Sequence, residues 1–386
     1  MTHEFSASSA VAPATISLGD PAPWFSARSL AGGELHLHVN AGRWIVLAFL
    51  HDLSSPRAQE EFRALVTHIA AFGEDKLVAY AVLTAPPADL AGLLLAPVAS
   101  LRLVADYDGA LTRLYGAQAT PRSVVLDPML RAIAIVPWDH PNGHAAVLGQ
   151  ILGGLPEVDE AAGAPLTAPA LIVPRVLDFE LCDFLVRLYD KMGGGDDSGF
   201  LLDSDGKTGT VVDHRLKRRR DLPIVVPELR ERIRGQLVRR LLPPIERYFQ
   251  FAATRMDRYL VSCYDSAEGG YFHRHRDNLN AGAEHRRFAV SINLNRDYDG
   301  CDLVFPEFGR RSYRAPVGGA VVFSCGALHE VTPITRGRRY AFLPFLYGEA
   351  DAERRLANNA RLAAGSARYT VGDDFLYPEA QATAAE

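Results

Sequence analysis

The short stretch His275-Arg276-Asp277 is the first part of this 386-residue chain that suggests chemistry. Residues two apart on a β-strand point to the same face, so an imidazole and a carboxylate there could bind one ion together. A second histidine from a later strand would complete a face of two histidines and one carboxylate. His329 is the best candidate. Such a face leaves coordination positions open and suits non-haem Fe(II) and oxygen chemistry.

An arginine after the second histidine suggests a further binding group. Arg339 begins an apolar segment beyond the turn Thr335-Arg336-Gly337. A buried guanidinium needs an anion, and its planar fork can hold a carboxylate through two parallel hydrogen bonds. A dicarboxylate such as 2-oxoglutarate fits, because its keto-acid end can chelate iron while its distal carboxylate meets Arg339. The alternative is an arginine at the sheet rim that pairs with an acidic side chain.

Three other features near these residues leave alternatives open. We expect His273 to face solvent or to support His275 rather than to bind metal, since it has no carboxylate two residues on. His285 lies in a loop rich in Gly and Asn. The charged run His214–Arg220 is interpreted first as the solvated flank of a loop. The other interpretation is a patch that attracts an acidic substrate or protein partner.

Composition narrows the class of protein. Hydrophobic content of 48% and charged content of 23% are typical of a soluble globular chain. The net charge of −5 argues against a general nucleic-acid binder. The four cysteines show no C-x-x-C spacing, so we expect a reduced, cytoplasmic protein. We expect neither a signal peptide nor a membrane span, because the longest apolar stretch, around Leu90–Val98, is too short to cross a bilayer.

The first half of the chain alternates predicted strands and helices. Residues 1–17 are expected to be a disordered lead, and residues 18–156 an α/β domain. Within that domain, Trp44–Leu50 is a continuous apolar run, typical of a strand buried on both faces, and Gln59–Phe72 has helical periodicity. Residues 157–169, rich in Pro, Ala and Gly, are predicted to be a linker.

The second half begins with helices and then changes pattern. Helices are predicted over Phe179–Met192 and Pro227–Leu242, the latter ended by Pro243-Pro244, and Asp196–Gly209 is expected to be a flexible loop. From Met256 the chain predicts short, closely spaced strands, which indicate a β-barrel or sandwich. These strands are Arg258–Tyr264, Arg287–Asn293, Asp302–Phe305, Ala320–Ser324 and Arg339–Phe345. Residues 351–386 are expected to form a helix and a polar tail.

The N-terminal domain resembles the peroxiredoxin branch of the thioredoxin fold. The residues that carry the resemblance are Leu18–Pro23, the strand Val46–Leu50 leading into His51–Pro56, and Thr120–Asp127. Peroxiredoxins carry their peroxide-reducing cysteine in the loop after that strand, but here Ala58 stands at that place, and no cysteine precedes Cys182. Thiol chemistry requires a thiolate. We therefore expect a degenerate domain used for packing, partner contact or a homodimer, and we exclude a thiol peroxidase.

The C-terminal region, about residues 165–350, resembles the prolyl 4-hydroxylase superfamily of Fe(II)/2-oxoglutarate dioxygenases. An ordered set of motifs carries the resemblance: Tyr271–Asp277, Gly300–Phe305, Gly319–Phe323, His329–Pro333 and Arg338–Phe342. The resemblance implies a double-stranded β-helix, or jelly-roll, over residues 170–350. It also implies that His275, Asp277 and His329 bind iron and that Arg339 anchors 2-oxoglutarate.

The same resemblance assigns two more residues to the cosubstrate. Tyr264 matches a tyrosine near the cosubstrate, although an ordinary barrel tyrosine is equally expected there. Asn293 stands where close relatives have a tyrosine that contacts the cosubstrate carboxylate. Cys301 stands where a second glycine is common, and we interpret it as a small packing residue.

The resemblance further implies an activity and its reactants. These are Fe(II), 2-oxoglutarate, O2 and ascorbate as reductant, with hydroxylation of a C–H bond and release of succinate and CO2. The acceptor could be a prolyl or other protein residue, or a small amino-acid-like molecule. Arg286, Arg287 and the segment 278–285 are predicted to edge the substrate entrance. A non-catalytic scaffold built on the two folds is the alternative function.

Overall fold

The computed structural model describes residues 16–377 except 52, 95, 205, 365, 367, 371, 373 and 374. Nearly all of the predicted disordered lead therefore lies outside the described residues. The chain forms two compact units. The first comprises residues 1–167 and 306–310, and the second comprises residues 168–305 and 311–386. Among the described residues, no helix combines the length and apolar character needed to cross a membrane.

Seven strands of the first unit form one sheet among the described residues. They are β1 (Ser26–Ser29), β2 (Glu34–His36), β3 (Trp44–His51), β4 (Leu77–Leu83), β5 (Leu101–Ala105), β6 (Arg122–Leu126) and β7 (Ala132–Pro137). The order is β2-β1-β5-β4-β3-β6-β7, with β3 parallel to β4 and antiparallel to β6. Helices α1 (Pro56–Ile69), α2 (Leu90–Leu93), α3 (Ala110–Leu114) and α4 (His144–Gly153) accompany it. This is the predicted thioredoxin-like α/β architecture.

The central strands of this sheet, β3 and β4, are stabilised by the burial of apolar side chains. Every residue of β4, and every residue of β3 before its last, is buried, as expected of strands covered on both faces. Helix α1 begins where the sequence provides a cap. The Ser55 hydroxyl accepts a hydrogen bond from the Ala58 N–H at 3.1 Å, and Pro56 occupies the first turn. Phe62 and Leu65 then pack into the core.

Four α-helices accompany the strands of the second unit among the described residues. These helices are α5 (Phe179–Lys191), α6 (Pro227–Arg240), α7 (Leu242–Phe249) and, after the strands, α8 (Glu349–Asn358). Asp178 caps α5 by accepting from the Leu181 N–H at 2.8 Å. Leu181 and Leu185 of α5 and Ile233 and Leu237 of α6 belong to the apolar core of this unit.

The strands of the second unit are short. They are β8 (Leu171–Val173), β9 (Asp196–Asp197), β10 (Phe200–Ser204), β11 (Lys207–Val211), β12 (Lys217–Arg218), β13 (Arg220–Pro223), β14 (Arg255–Asp257), β15 (Leu260–Asp265), β16 (Tyr271–His275), β17 (Phe288–Asn293), β18 (Tyr298–Gly300), β19 (Leu303–Val304), β20 (Ser312–Tyr313), β21 (Ala320–Ser324), β22 (His329–Val331), β23 (Ile334–Phe342) and β24 (Phe345–Tyr347).

These strands form two main sheets. The smaller has the order β12-β16-β22-β19-β20. The larger has the path β14-β24-β17-β23-β15-β13-β9, to which β21, β8 and β18 add at the side. Strands β10 and β11 pair with each other as a separate hairpin. One cavity is lined by residues of both main sheets. This is the predicted jelly-roll architecture.

The structure corrects two predictions in this unit. The flexible loop predicted over Asp196–Gly209 instead contains β9 and most of the β10–β11 hairpin. Strand pairing overrides the polar, Gly-rich composition there. Helix α6 does end just before Pro243-Pro244, as predicted, but these prolines do not end the helical segment: they lie in the first turn of α7, where a missing N–H has no consequence. The helix therefore breaks at Leu241 and resumes immediately.

Candidate active site

Two adjacent antiparallel strands bring the candidate metal ligands together. His275 at the end of β16 pairs directly with His329 at the start of β22, after a register shift that begins at Phe272. Asp277 lies beyond the strand, in a turn, and its N–H donates to the Cys325 carbonyl at 2.9 Å. The predicted convergence of His275 and Asp277 is found, but a turn rather than strand alternation directs the carboxylate.

The three side chains form a compact face. The His275 Nε2 atom lies 3.5 Å from Asp277 Oδ1, and the His329 Nε2 atom lies 3.4 Å from Asp277 Oδ2. The two imidazole ring centres are 4.2 Å apart. Among the described residues, no other group of three or more His, Cys, Asp or Glu side chains brings potential metal ligands so close together.

Backbone contacts fix which imidazole nitrogens face the carboxylate. His275 Nδ1 lies 2.7 Å from the His273 carbonyl, and His329 Nδ1 lies 3.0 Å from the Ala327 carbonyl. Because a carbonyl can only accept, each Nδ1 carries the proton and each Nε2 of a neutral ring presents its lone pair. Two lone pairs then face a carboxylate with no donor between them. A cation fits this donor set, and carbonyl-oriented imidazoles are typical of metal ligands.

The electrostatics of the face agree with that arrangement. Burial, followed by the neighbouring His275, lowers the pKa of His329 to about 4, so its imidazole is neutral at pH 7. Burial alone would raise the pKa of Asp277, but His329 and His275 beside it hold the carboxyl below its ordinary value. His329 and Asp277 are therefore in the protonation states that a divalent metal requires.

Arg339 enters the same cavity from β23. Its guanidinium donates to Asn293 Oδ1 at 3.0 Å and to Ser291 Oγ at 2.7 Å, and it lies 3.8 Å from Cys301 Sγ. Arg339 is only 4% exposed. Even so, no carboxylate among the described residues pairs with its guanidinium. A buried guanidinium with only neutral partners is suited to an anionic ligand. The rim ion pair considered as the alternative is absent from this part of the structure.

The two remaining predicted cosubstrate residues occupy different positions. Tyr264 lines the cavity, and its ring centre lies 5.7 Å from Arg339 Cζ. Asn293 does not line the cavity; its amide donates to the Ala315 carbonyl at 2.7 Å and its oxygen accepts from Arg339. The structure therefore places Asn293 behind Arg339, where it orients the guanidinium.

Cys301 adopts a backbone conformation that explains its place in the motif. Its φ of 57° lies in the left-handed region, directly after Gly300 with a φ of 72°. Glycine adopts such angles without strain, which accounts for a glycine being common at this position. Cys301 is buried against Arg339, and all four cysteines are free and buried.

The predicted solvated flank at His214–Arg220 is wrong for two of its residues. Lys217 and Arg219 are 3% and 8% exposed and line the cavity. Arg258, from the turn before β15, also lines it. Sequence reasoning missed this cluster because it treated the run as one charged block. The signal was the spacing of Lys217, Arg219 and Asp221, which strand alternation places on one face.

His273 does not contribute to the metal face. Its side chain is exposed, its N–H donates to the Leu216 carbonyl, and its own carbonyl orients His275. The residue supports the ligand through its backbone alone.

The predicted entrance residues are engaged elsewhere. Arg286 lies 3.3 Å from Asp257 and Arg287 pairs with Asp351, and neither lines the cavity. His285 is buried, 3.6 Å from Asp257. These contacts assign Arg286 and Arg287 to ion pairs that hold β17 to its neighbours.

The cavity is lined by apolar and aromatic side chains as well as by charged ones, as is common for small-molecule sites. Aromatic rings protect the ligands: Phe272 stacks on His275 with ring centres 3.5 Å apart, and Phe323 lies 4.6 Å from His329. The pocket thus combines an apolar wall with a metal-binding face and cationic side chains.

Comparison with known families divides the chain in the same way. Residues 259–347 match the 2OG-Fe(II) oxygenase superfamily, and residues 18–133 match the AhpC/TSA family. The first match contains Tyr264, the three candidate metal ligands and Arg339.

Individual proteins are similar over parts of the chain. A PKHD-type hydroxylase of Pseudomonas aeruginosa strain LESB58 is 33% identical over 150 residues, covering 36% of this chain and 64% of that protein. A PKHD-type hydroxylase of Paracoccus denitrificans strain Pd 1222 is 34% identical over 137 residues, covering 33% of this chain and 59% of that protein. The chain thus spans somewhat less than two thirds of these relatives.

Among solved structures, a Pseudomonas putida prolyl-4-hydroxylase covers 49% of this chain and 96% of its own, with 17% identity and a TM-score of 0.36. The two family matches fall in different parts of the chain: the AhpC/TSA match lies in the first unit, and the 2OG-Fe(II) oxygenase match contains the residues that form the candidate metal face.

Proposed function

We propose that this protein is an Fe(II)/2-oxoglutarate-dependent dioxygenase that hydroxylates a C–H bond, with release of succinate and CO2. The acceptor would be a protein residue of prolyl type or a small amino-acid-like molecule. The observation that carries the proposal is the face of two imidazole lone pairs and one carboxylate, with no hydrogen-bond donor between them, in the same cavity as Arg339.

His275, Asp277 and His329 would hold the iron, and Arg339 would hold the distal carboxylate of 2-oxoglutarate. When bound, the metal and cosubstrate supply the oxidising chemistry, and the protein supplies orientation. The carbonyls of His273 and Ala327 keep the imidazoles turned with Nε2 inward. Asn293 and Ser291 hold the Arg339 guanidinium in the cavity. Tyr264 adds a polar wall beside it.

Anaerobic titration of the full chain with Fe(II) and 2-oxoglutarate tests the metal site and the cosubstrate together. A metal-to-cosubstrate charge-transfer band should appear in the wild type and in His273→Ala, whose side chain is exposed. The band should be lost in His275→Ala. A wild-type chain without the band, or a band that survives in His275→Ala, would contradict the proposal.

The substrate can be sought by incubating the protein with a cell lysate. Products that gain one oxygen only when Fe(II) and 2-oxoglutarate are both present would be candidates. His329→Ala protein in the same lysate is the control, because it removes a ligand while leaving the rest of the cavity.

Several further properties belong to the same proposal. We propose O2 as the oxidant, ascorbate as a reductant that maintains Fe(II), and domain bounds of 18–156 and 170–350. The four free cysteines support a reducing, cytoplasmic location. We also propose a homodimer through the N-terminal unit, which light scattering of the full chain would test by measuring the mass of the particle. We propose neither nucleic acid nor a membrane as a partner.

A further inference from the structure

A second group of cations lines the cavity, apart from Arg339. Lys217 Nζ donates to Ser198 Oγ at 2.6 Å and to the Gly199 carbonyl at 2.7 Å, and it lies 4.9 Å from the Phe272 ring centre. Phe272 in turn stacks on His275. The ammonium group is therefore buried one ring away from the metal face, and neither of its two hydrogen-bond partners is charged.

Arg219 and Arg258 share one carboxylate. Asp221 Oδ2 lies 2.7 Å from an Arg219 nitrogen and 3.6 Å from an Arg258 nitrogen. Arg219 Nε is buried and has no hydrogen-bond partner. The side chain of Arg258 is 26% exposed, and among the described residues its shortest ion pair is this one with Asp221. The cluster thus keeps unused N–H donors in the cavity.

Charge balance shows that the expected metal and cosubstrate do not use this group. Fe(II) with Asp277, and doubly charged 2-oxoglutarate with Arg339, are neutral together. Among the described residues, Asp221 is the carboxylate that pairs with this cluster. Asp257, next to Arg258 in sequence, is already paired with Arg286 and Arg355. Three cations and one carboxylate leave an excess of two positive charges. Burial, followed by Arg219, lowers the pKa of Lys217 well below its ordinary value. Even with a neutral Lys217, one positive charge remains without an anion.

The cluster and Arg339 are held by different partners. Arg339 is tied to Asn293 and Ser291 on β17, whereas Lys217 and Arg219 are tied to Ser198. Tyr264 contacts both groups, with its ring centre 5.8 Å from Arg219 Cζ and 5.7 Å from Arg339 Cζ. The cavity therefore has two cationic positions, which share Tyr264 as a neighbour but are held by different hydrogen-bond partners.

We propose that Lys217, Arg219 and Arg258 bind an anionic group of the primary substrate, a carboxylate or a phosphate, while Arg339 holds the cosubstrate. This inference rests on the proposed dioxygenase function. It narrows the substrate to a molecule or residue that is negatively charged close to the carbon that reacts. A neutral prolyl side chain, by itself, would leave the positive charge of the cluster without a counterion.

Binding of two simple anions to the loaded full chain tests the inference. Mn(II) and the cosubstrate analogue N-oxalylglycine first fill the metal face and the Arg339 position. Propionate and methyl phosphate are then titrated separately by calorimetry at constant ionic strength, and their order of affinity distinguishes a carboxylate from a phosphate. We expect saturable binding of at least one, weakened about tenfold or more in Lys217→Met and Arg258→Gln.

Arg215→Gln is the matched control. It removes a charge from the same run, but its side chain is 89% exposed and pairs with Asp213. Its anion affinity should equal that of the wild type. Retained N-oxalylglycine binding reports that each variant is folded. Failure of Mn(II) and N-oxalylglycine to bind would contradict the dioxygenase function itself. Their binding without saturable anion binding, or equal anion affinity in all variants, would overturn only the substrate inference.

Discussion

The two units differ in the side chains at the positions where a reaction centre is expected. In the N-terminal unit, the position of a peroxidatic cysteine is Ala58, which is 3% exposed and belongs to the apolar core with Phe62 and Leu65. In the C-terminal unit, a cavity is lined by His275, Asp277, His329 and four cationic side chains. The first unit has an apolar side chain where a thiol is expected, whereas the second brings its candidate ligands together in one cavity.

This difference separates what stabilises a fold from what performs chemistry. The strands β3 and β4 are stabilised by apolar burial, which does not depend on a thiol, so the first unit keeps its architecture without one. Burial of the Arg339 guanidinium without a protein counterion among the described residues costs stability, as does burial of the Asp277 carboxylate beside two imidazoles. Side chains that cost stability and converge on one cavity are best explained by ligands that they bind.

Loss of Asp277, the carboxylate proposed to bind the metal, should produce the largest effect. In Asp277→Ala the two imidazoles keep their backbone contacts, but the only anionic ligand is removed. We expect 2-oxoglutarate turnover to fall by about 10³ or more, since the metal supplies the chemistry. Succinate release, together with Fe(II) affinity by calorimetry, measures this.

Asp299→Ala is the control for that change, because Asp299 is exposed and pairs with Arg336. Its turnover should match the wild type. Full activity in Asp277→Ala would remove the distinction between the two units, since neither would then have an identified reaction centre.

The sequence predicts those residues of the site that are recognised by their type and their order along the chain. His275, Asp277, His329 and Arg339 were identified from residue type and order, and the structure brings all four to one cavity. The continuous apolar run at Trp44–Leu50 likewise predicted a buried central strand. Such features depend on local spacing, which the sequence displays directly.

Features that depend on pairing with distant residues were not predictable. The spacing of Lys217, Arg219 and Asp221 indicates that they share one face of a strand. That this face lines the cavity depends on the pairing of Lys217 with Phe272, which is visible only in the folded chain. The hairpin of β10 and β11 has a polar, Gly-rich sequence and forms through pairing. Asn293 matched a cosubstrate residue by position, yet its role was decided by Arg339 and the Ala315 carbonyl.

Removal of the cosubstrate anchor should have the next largest effect. Arg339→Met keeps the aliphatic length but leaves the distal carboxylate of 2-oxoglutarate without its charge partner. We expect the KM for 2-oxoglutarate to rise about 100-fold, in line with a cost of roughly 2–5 kcal/mol for truncating one partner of a buried pair. Initial rates over a range of 2-oxoglutarate concentrations measure this.

Arg338→Met is the neighbouring control on β23. Arg338 is 56% exposed and pairs with Asp265 outside the cavity. Its KM should stay within about twofold of the wild type. If Arg339→Met and Arg338→Met had the same KM for 2-oxoglutarate, the guanidinium of Arg339 would not be the group that binds the cosubstrate.

Removing a helix cap should reduce stability by a smaller amount, and the loss should be confined to the unit that contains the helix. Ser55→Ala removes the cap of α1, and Asp178→Ala removes the cap of α5 together with a hydrogen bond of 2.6 Å from Gln236. We expect each to cost about 1 kcal/mol or somewhat more. Hydrogen exchange should show loss of protection around α1 in the first variant and around α5 in the second. Equal losses in both units from either change would indicate a single cooperative structure.

The smallest effect is expected from returning a cysteine to the first unit. In Ala58→Cys the thiol lies in the first turn of α1, which favours a thiolate, but this position is buried, which disfavours it. The nearest cation in sequence, Arg57, donates to the Trp138 carbonyl at 2.8 Å. Peroxide reduction needs a thiolate, and burial disfavours one at position 58. We therefore expect Ala58→Cys to consume peroxide at a rate within about tenfold of that of Thr67→Cys, which places an exposed thiol on the same helix. Stopped-flow peroxide assays, with thiol pKa values from thiolate absorbance, would measure both variants. A rate about 10³ times that of Thr67→Cys would show that the first unit has kept a peroxide-activating environment and lost only its nucleophile.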